Sequence, residues 1–337
     1  MRYLPKSSKA NKNSALALMI TGVLVLCASL LLSISFGASK YSFFEMIGQA
    51  MSGGGTAANI LIFLRLPRTL AAALAGAGLA CAGAVIQNVL INPLAGPNII
   101  GVNSGAGLAA ALVSSLLPLG TDVLPIAAMA GALFAMLLIY SIARTTGASK
   151  ITIVLSGVAV NALFNAGADA VHTLFPDTLI GGSYFRIGGF AGMEITKIFP
   201  AGWYIIAGIL LALLMGGELD VLSLGEENAE SLGQRTGLIR FIMLFIASMM
   251  AGASVSFAGL LGFVGLIVPH AVRPFAKGSS RLLIFSCALF GASFVLISDC
   301  VSRLIFMPYE MPVGIIMAFV GGPFFIYLLM RRGGYHD

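Results

Sequence analysis

The 337-residue chain is 58% hydrophobic and only 9% charged, with a mean hydropathy of +0.99, whereas an ordinary soluble domain carries about 25% charged residues. That composition excludes an ordinary soluble domain. The formal charge of +6 comes from 19 basic and 13 acidic residues, and the bases are spread through the segments between apolar runs. Such a spread excludes a nucleic-acid surface and reads as a topology signal.

A helix needs roughly 20 mostly apolar residues to cross a bilayer, and its backbone must satisfy its own hydrogen bonds there. The alternation of a membrane β-barrel is absent. The expected fold class is therefore an all-α polytopic membrane protein, and the 41 glycines suit close packing between its helices. Residues 1–14 form a polar tail with Arg2, Lys6, Lys9 and Lys12, expected to stay in the cytoplasm. The run from Ala15 to about Phe36 is the first span, too long for the apolar part of a signal peptide. Further runs at about 66–90, 98–117, 123–143, 151–171, 198–217, 238–256, 258–272, 282–301 and 312–330 bring the expected total to ten transmembrane helices, with both termini cytoplasmic and a tail at 333–337. A straight helix over 238–272 would reach about 50 Å at ~1.5 Å per residue, against a hydrocarbon core of about 30 Å. The chain is expected to turn there, near the small residues from Gly252 to Ser256 and at Gly259. In this layout 13 bases lie inside and 6 outside, the asymmetry expected of the positive-inside rule.

The second run is the most informative. In FLRLPRTLAAALAGAGLACAGAVIQNVLINPLAGPNIIGVNSG, residues 63–105, Arg65 and Arg68 flank Pro67, a residue tolerated at a helix start. More than twenty uncharged residues follow, then an Asn-Pro-Leu-Ala-Gly-Pro corner. Two cations at a helix N-terminus oppose its dipole, so another role is expected for them: anchoring to lipid phosphates, or a docking site for carboxylates of an external partner. Arg303 has a simpler alternative, an i,i+4 pair with Asp299.

The loop from 218 to 240 holds five acids and two bases, a reversal of the basic trend that suits a protein partner better than lipid. Ser223-Leu-Gly-Glu226 reads as a capping box opening a short helix, with Glu226, Glu227 and Glu230 in its early turns and Gly233 as its stop. Leu222, Leu224, Ala229 and Leu232 make it more apolar than a solvated connector requires. The segment GLLGFVGLIVPH lacks the Gly-Lys-Ser/Thr ending of a phosphate-binding loop, and no Walker A sequence occurs anywhere. Cys27, Cys81, Cys287 and Cys300 lie in apolar runs and read as packing residues. His172, near Asp169 and Asp177, is a poor metal or haem ligand without a second imidazole, and His270 beside Arg273 reads as an interfacial residue. No metal site or bound cofactor is expected on this chain.

The blocks FLRLPRTLAAALAGAGLACAGAVIQ, NPLAGPNIIGVNSGAG, GLLGFVGLIVPHAVR and SDCVSRLIFMPYEMPVGIIMAFVGGPFFIYLLMRR occur in an order and spacing that resemble the permease family of type II ABC importers for iron-siderophores, haem and cobalamin. The resemblance covers Leu64 to Arg332. It implies a ten-span permease domain at 15–332, paired as a homodimer, bound to a cytoplasmic ABC ATPase dimer that uses ATP-Mg, and met outside by a substrate-binding protein. It further implies that Arg65, Arg68 and Arg303 meet acidic residues of that binding protein. By the same resemblance, Leu222, Ser223, Leu224, Glu226, Glu227, Glu230, Leu232 and Gly233 form an ATPase-coupling helix. Asn92 and Leu94 are placed near a cytoplasmic gate. In GGSYFRIGGFAGMEI the chain departs from the family pattern, and no substrate-facing residue is assigned there.

On this view no residue does bond chemistry, and alternating access is driven from outside the chain. An ion-coupled secondary transporter would require titratable residues at mid-membrane, yet Asp169 and Asp299 lie near span ends. An intramembrane enzyme would require a nucleophile with its base or a metal cluster, which three scattered histidines do not supply.

Overall fold

The computed structural model describes residues 8–37, 41–116, 123–145, 147, 149–176, 185–276, 278–307 and 309–333. Among them every regular element is helical: α1 (Ser8–Ser35), α2 (Phe43–Met51), α3 (Thr56–Asn59), α4 (Leu66–Leu90), α5 (Val102–Leu116), α6 (Val123–Thr145), α7 (Lys150–Leu174), α8 (Ile195–Leu214), α9 (Gly216–Ser223), α10 (Glu226–Ser231), α11 (Thr236–Ala258), α12 (Val264–Ala276), α13 (Ser280–Leu304) and α14 (Val313–Gly333). Seven of the helices are long and apolar enough to cross a membrane, whereas Val102–Leu116, Val264–Ala276 and Val313–Leu328 are apolar but shorter. Of the ten expected spans, those at 98–117 and 258–272 are short helices of 15 and 13 residues, while α14 runs 21 residues to Gly333. A short helix leaves non-helical backbone beside it, which must find its partners within the protein.

One such place lies between α11 and α12. The predicted break is present at Gly259, with φ 72°, but the helix runs on through Gly252–Ser256 without turning. Beyond it Phe263 holds φ 64°, rare for a bulky residue. The exposed backbone is satisfied by the segment whose function the sequence left unassigned: Gly189 N donates to the Ala258 carbonyl at 2.9 Å, Leu260 N to Phe185 at 2.9 Å and Gly314 N to Gly188 at 3.2 Å. Residues 181–184 of that segment lie outside the described residues, as do Arg2, Lys6, Lys40, Asp177, Lys277 and the tail from 334.

The second expected span also begins earlier. Helix runs unbroken from Thr56 to Leu90, with a π turn at Ile60–Arg65 just before Pro67. A proline inside a helix has no N–H to donate and crowds the carbonyl four residues back; here the ladder widens to a five-residue step, Leu66 N donating to the Leu61 carbonyl. Arg65 and Arg68 therefore stand within a helix, not at its first turn, and the dipole argument made for them does not apply. Before this rod lies α2, which sequence reasoning missed. Ser42 and Glu45 cap it reciprocally, and Met46 packs in a small cluster with Ala57 and Leu61.

The rod is the centre of the molecule. From Ala71 to Leu90 almost every residue of α4 is buried, against α13, α11, α12 and α8. Small residues make this possible. A Cβ on Gly76 would strike the Gly291 carbonyl oxygen of α13, and one on Gly83 the Gly265 carbonyl oxygen of α12. Around this centre α5, α6 and α7 form a looser packet, and α1 lies on α13. Among the cysteines, Cys81 and Cys287 are buried as predicted, while Cys27 is exposed on the apolar face of α1.

Candidate functional site

The residues singled out by the sequence gather at opposite ends of the helical core. Ser280 and Arg303 bound α13, and at ~1.5 Å per residue they stand about 35 Å apart.

At one end the three arginines share a cavity of about 310 Å³ with Glu310, Phe190 and Met193. Asp299, fully buried, joins two of them, Arg68 and Arg303. Arg68 Nε lies 3.1 Å from both of its oxygens and Nη2 3.0 Å from Oδ1, while Arg303 Nε pairs with Oδ2 at 3.2 Å, the i,i+4 contact expected from the spacing. Arg68 Nη1 also donates to Glu310 Oε2 at 2.6 Å. The remaining donors close the end of α1, whose last carbonyls have no partner within their own helix. Arg65 Nη1 donates to the Ile34 and Ser35 carbonyls at 2.6 and 2.8 Å. Arg303 donates to the Ser33 and Phe36 carbonyls at 3.2 and 2.9 Å. Cations at a helix C-terminus also suit its dipole. Arg65, which looked misplaced on its own helix, is thus well placed for another one, while Arg68 is held by Asp299 and Glu310. Asp299 and Glu310 bring two carboxylates to the three guanidiniums of this cluster.

At the other end the 218–240 segment departs from the predicted capping box. Ser223 closes α9, and its hydroxyl donates back to the Asp220 carbonyl at 2.6 Å, so it is still committed to the preceding helix. Gly225, at φ 104°, precedes α10 instead and supplies no side-chain cap. Gly233, at φ 81°, ends the segment where expected. Leu222 and Ala229 are buried, whereas Leu224 and Leu232 are 58% and 66% exposed on either side of α10. Glu226 pairs with the buried Arg240 at 2.9 Å, and Glu230 accepts from Thr236 Oγ1 at 2.8 Å. Of the residues assigned to this helix, Ser223, Leu224, Glu227, Glu230, Leu232 and Gly233 are exposed. Ser223 and Glu230 are tied back by their side-chain hydrogen bonds to Asp220 and Thr236, whereas Leu224, Glu227 and Leu232 are not.

The Asn-Pro-Leu corner adjoins this end. Ile91 takes φ 49°, ending α4, and Asn92 Oδ1 accepts from Leu94 N at 3.0 Å, a side-chain turn that fixes the corner. Asn92 shares a cavity of about 390 Å³ with Gln87, Asn88, Ser223, His270 and Arg273. Leu94 faces another of about 320 Å³ with Phe263 and Phe325. The corner and the 218–240 segment thus meet. Sequence reasoning missed the polar residues between them: Gln87, Asn88, Asp220, Ser280 and Arg273. Two adjacent amides closing an otherwise charge-free run were the available signal. Among the described residues, no cluster of His, Cys, Asp and Glu could hold a metal ion.

The profile of the FecCD transport family matches residues 24–331, nearly the whole chain. The chain belongs to the FecCD transport family. Among related proteins, this FecCD-family chain is 35% identical over 328 residues to the Fe(3+)-citrate import system permease protein YfmE of Bacillus subtilis, covering 97% of this chain and 98% of that one. It is 39% identical over 289 residues to the vitamin B12 import system permease protein BtuC of Serratia proteamaculans, covering 82% and 84%. Its fold superposes with a TM-score of 0.83 on a metal-chelate type ABC transporter in an inward-facing conformation, 25% identical and covering 94% of this chain and 99% of that one. Residues of this FecCD-family chain at both ends of the core fall inside the matched range, in a multi-pass membrane protein.

Proposed function

We propose that the chain is the permease subunit of a type II ABC importer, carrying a ferric siderophore across the cytoplasmic membrane by alternating access in a homodimer. The observation that carries this reading is the near full-length relation to a Fe(3+)-citrate permease. The two ends are consistent with it. The end with Arg65, Arg68 and Arg303 would face a substrate-binding protein outside. Leu224, Glu227 and Leu232 would seat α10 in a cytoplasmic ATPase, and the Asn92–Leu94 corner would close the path on that side. The sequence contains no Walker A motif, so ATP-Mg is used by the partner ATPase and this chain is a translocation subunit, not an enzyme. Cobalamin is the second cargo reading, favoured by the 39% identity to a vitamin B12 permease.

The test is reconstitution of the chain with its ATPase and binding protein in proteoliposomes, with ferric citrate, a ferric hydroxamate and cobalamin as probes. Uptake should follow ATP supplied on the ATPase side and ignore an imposed proton or sodium gradient. Accumulation by the permease alone under an ion gradient would overturn the proposal.

A further inference from the structure

The unassigned polar residues at the loop end form one continuous seam between four helices, with its two amides and Ser280 buried and Asp220 and Arg273 half-buried. Asp220 of α9 accepts the backbone N–H of Ser280 at 2.7 Å, at the start of α13 where a carboxylate suits both an orphan donor and the helix dipole. Ser280 Oγ accepts from Asn88 Nδ2 at 3.0 Å. Asn88 Oδ1 in turn accepts from Arg273 Nη1 of α12 at 2.7 Å, and Arg273 Nη2 donates to Gln87 Oε1 at 2.9 Å. The backbones of the same two amide residues start the corner: the Gln87 carbonyl accepts from Asn92 N at 3.0 Å and the Asn88 carbonyl from Ile91 N at 3.3 Å. Gln87, Asn88 and Ser280 are all buried. We infer that this seam is the positioning device through which displacement of the α9–α10 pair reaches the Asn92–Leu94 corner. The inference rests on the importer reading given above.

The physical reason is the cost of partial movement. If α9 shifted alone, the N–H of the buried Ser280 would lose its acceptor away from water, and the half-buried Asp220 carboxylate would lose its donor. Moving α9, the start of α13 and the end of α4 together avoids both losses. Asn88 is the pivot of this arrangement, since its side chain is held by α13 and α12 while its own carbonyl holds the corner. The loop's other ties run elsewhere: Glu226 and Glu230 hold α10 to α11. Asp220 is thus a polar link from the outward-facing segment to the corner, and Asp220, Asn88 and Arg273 act as positioning residues.

Leu94→Cys supplies the reporter, in the complex purified with its ATPase. Its rate of maleimide labelling is read with and without ATP and orthovanadate, with labelling of the parent chain subtracted. The expected response in the otherwise unchanged complex is about fivefold or more, the scale of a typical coupling between sites. Asp220→Ala and Asn88→Leu should each abolish that response while the complex stays assembled and still hydrolyses ATP. Asp220→Asn, which keeps the acceptor oxygen, should restore it. The double variant should be no worse than either single one, as expected for residues acting in one network. The inference is overturned if Asp220→Ala and Asn88→Leu keep the full nucleotide response. It is equally overturned if they lose the response only because the ATPase dissociates, since the seam would then be structural alone. A reporter that ignores nucleotide in the unchanged complex instead removes the importer reading itself, and the inference with it.

Discussion

Asp299 shows how a single buried carboxylate can decide the fate of several cations. Both of its oxygens are engaged by Arg68 and Arg303, and removing one partner of a buried pair leaves a charge with no compensation. Asp299→Asn should cost about 3–5 kcal/mol of stability, read as a lowered unfolding temperature in detergent. Glu310 is different. Its side chain is one-third exposed, and its pairing with Arg68 is worth no more than about 1 kcal/mol at such a site. Glu310→Gln should leave the unfolding temperature nearly unchanged. If a binding-protein carboxylate reaches Arg68 by taking the place of Glu310, the same substitution should tighten association with that protein, measurable by surface capture. The arginines were legible as residues requiring an explanation, and the Asp299–Arg303 pair could be read from its spacing. The contact between Arg68 and Asp299 joins positions 231 residues apart, which local pattern cannot reveal. At Glu45, outside the spans, the backbone N–H and hydroxyl of Ser42 hold the carboxyl below its ordinary range. A lowered folded-state value means that the cap's contribution is present above the ordinary carboxylate value and is lost as pH falls through the lowered one. The protection of the amides at the start of α2, read as exchange relative to the intrinsic rate at each pH, should therefore fall on acidification.

At the scale of the helices, packing depends on the absence of side chains at a few crossings. Gly83→Ala would force a methyl group into the Gly265 carbonyl and should destabilise the fold by about 1–3 kcal/mol or more. Gly262→Ala, where nothing stands within 4 Å of the added carbon, is the matched control and should unfold at nearly the parent temperature. The apolar runs located the helices well because hydropathy reports directly on burial in lipid. A chain break within 238–272 followed from length, and of the small residues read as marking it Gly259 does so while Gly252–Ser256 stay helical. Less was legible where one segment borrows partners from another: the π turn before Pro67, the five-residue gap before Val264 and its dependence on residues 185–189 are set by tertiary contacts. The supposed capping box failed for a related reason. Ser223 had a nearer carbonyl at Asp220 once α9 extended to meet it.

The whole molecule is a buried rod with two chemically distinct ends and an apolar waist, and we propose from the positive-inside asymmetry that the α9–α10 end faces the cytoplasm. A cysteine at Asn228 should react with an impermeant maleimide only in inverted vesicles, and one at Glu194 only in right-side-out vesicles; the opposite pattern would reverse the topology. The waist is also unevenly packed. Within the best span window of α4, 78% of residues are buried, against 28% in α6 and in α7. The outer packet therefore has more surface left to meet lipid or a second copy.

The closure of α1 by Arg65 and Arg303 bears on how the protein is made. Chains emerge from the ribosome starting at the N-terminus, so the first helix enters the bilayer while the guanidinium that covers its Ser33 and Phe36 carbonyls is still some 270 residues from being translated. The earliest helix laid down is among the last to be completed, and a nascent polypeptide stalled before Arg303 would leave that helix held only at its Arg65 side.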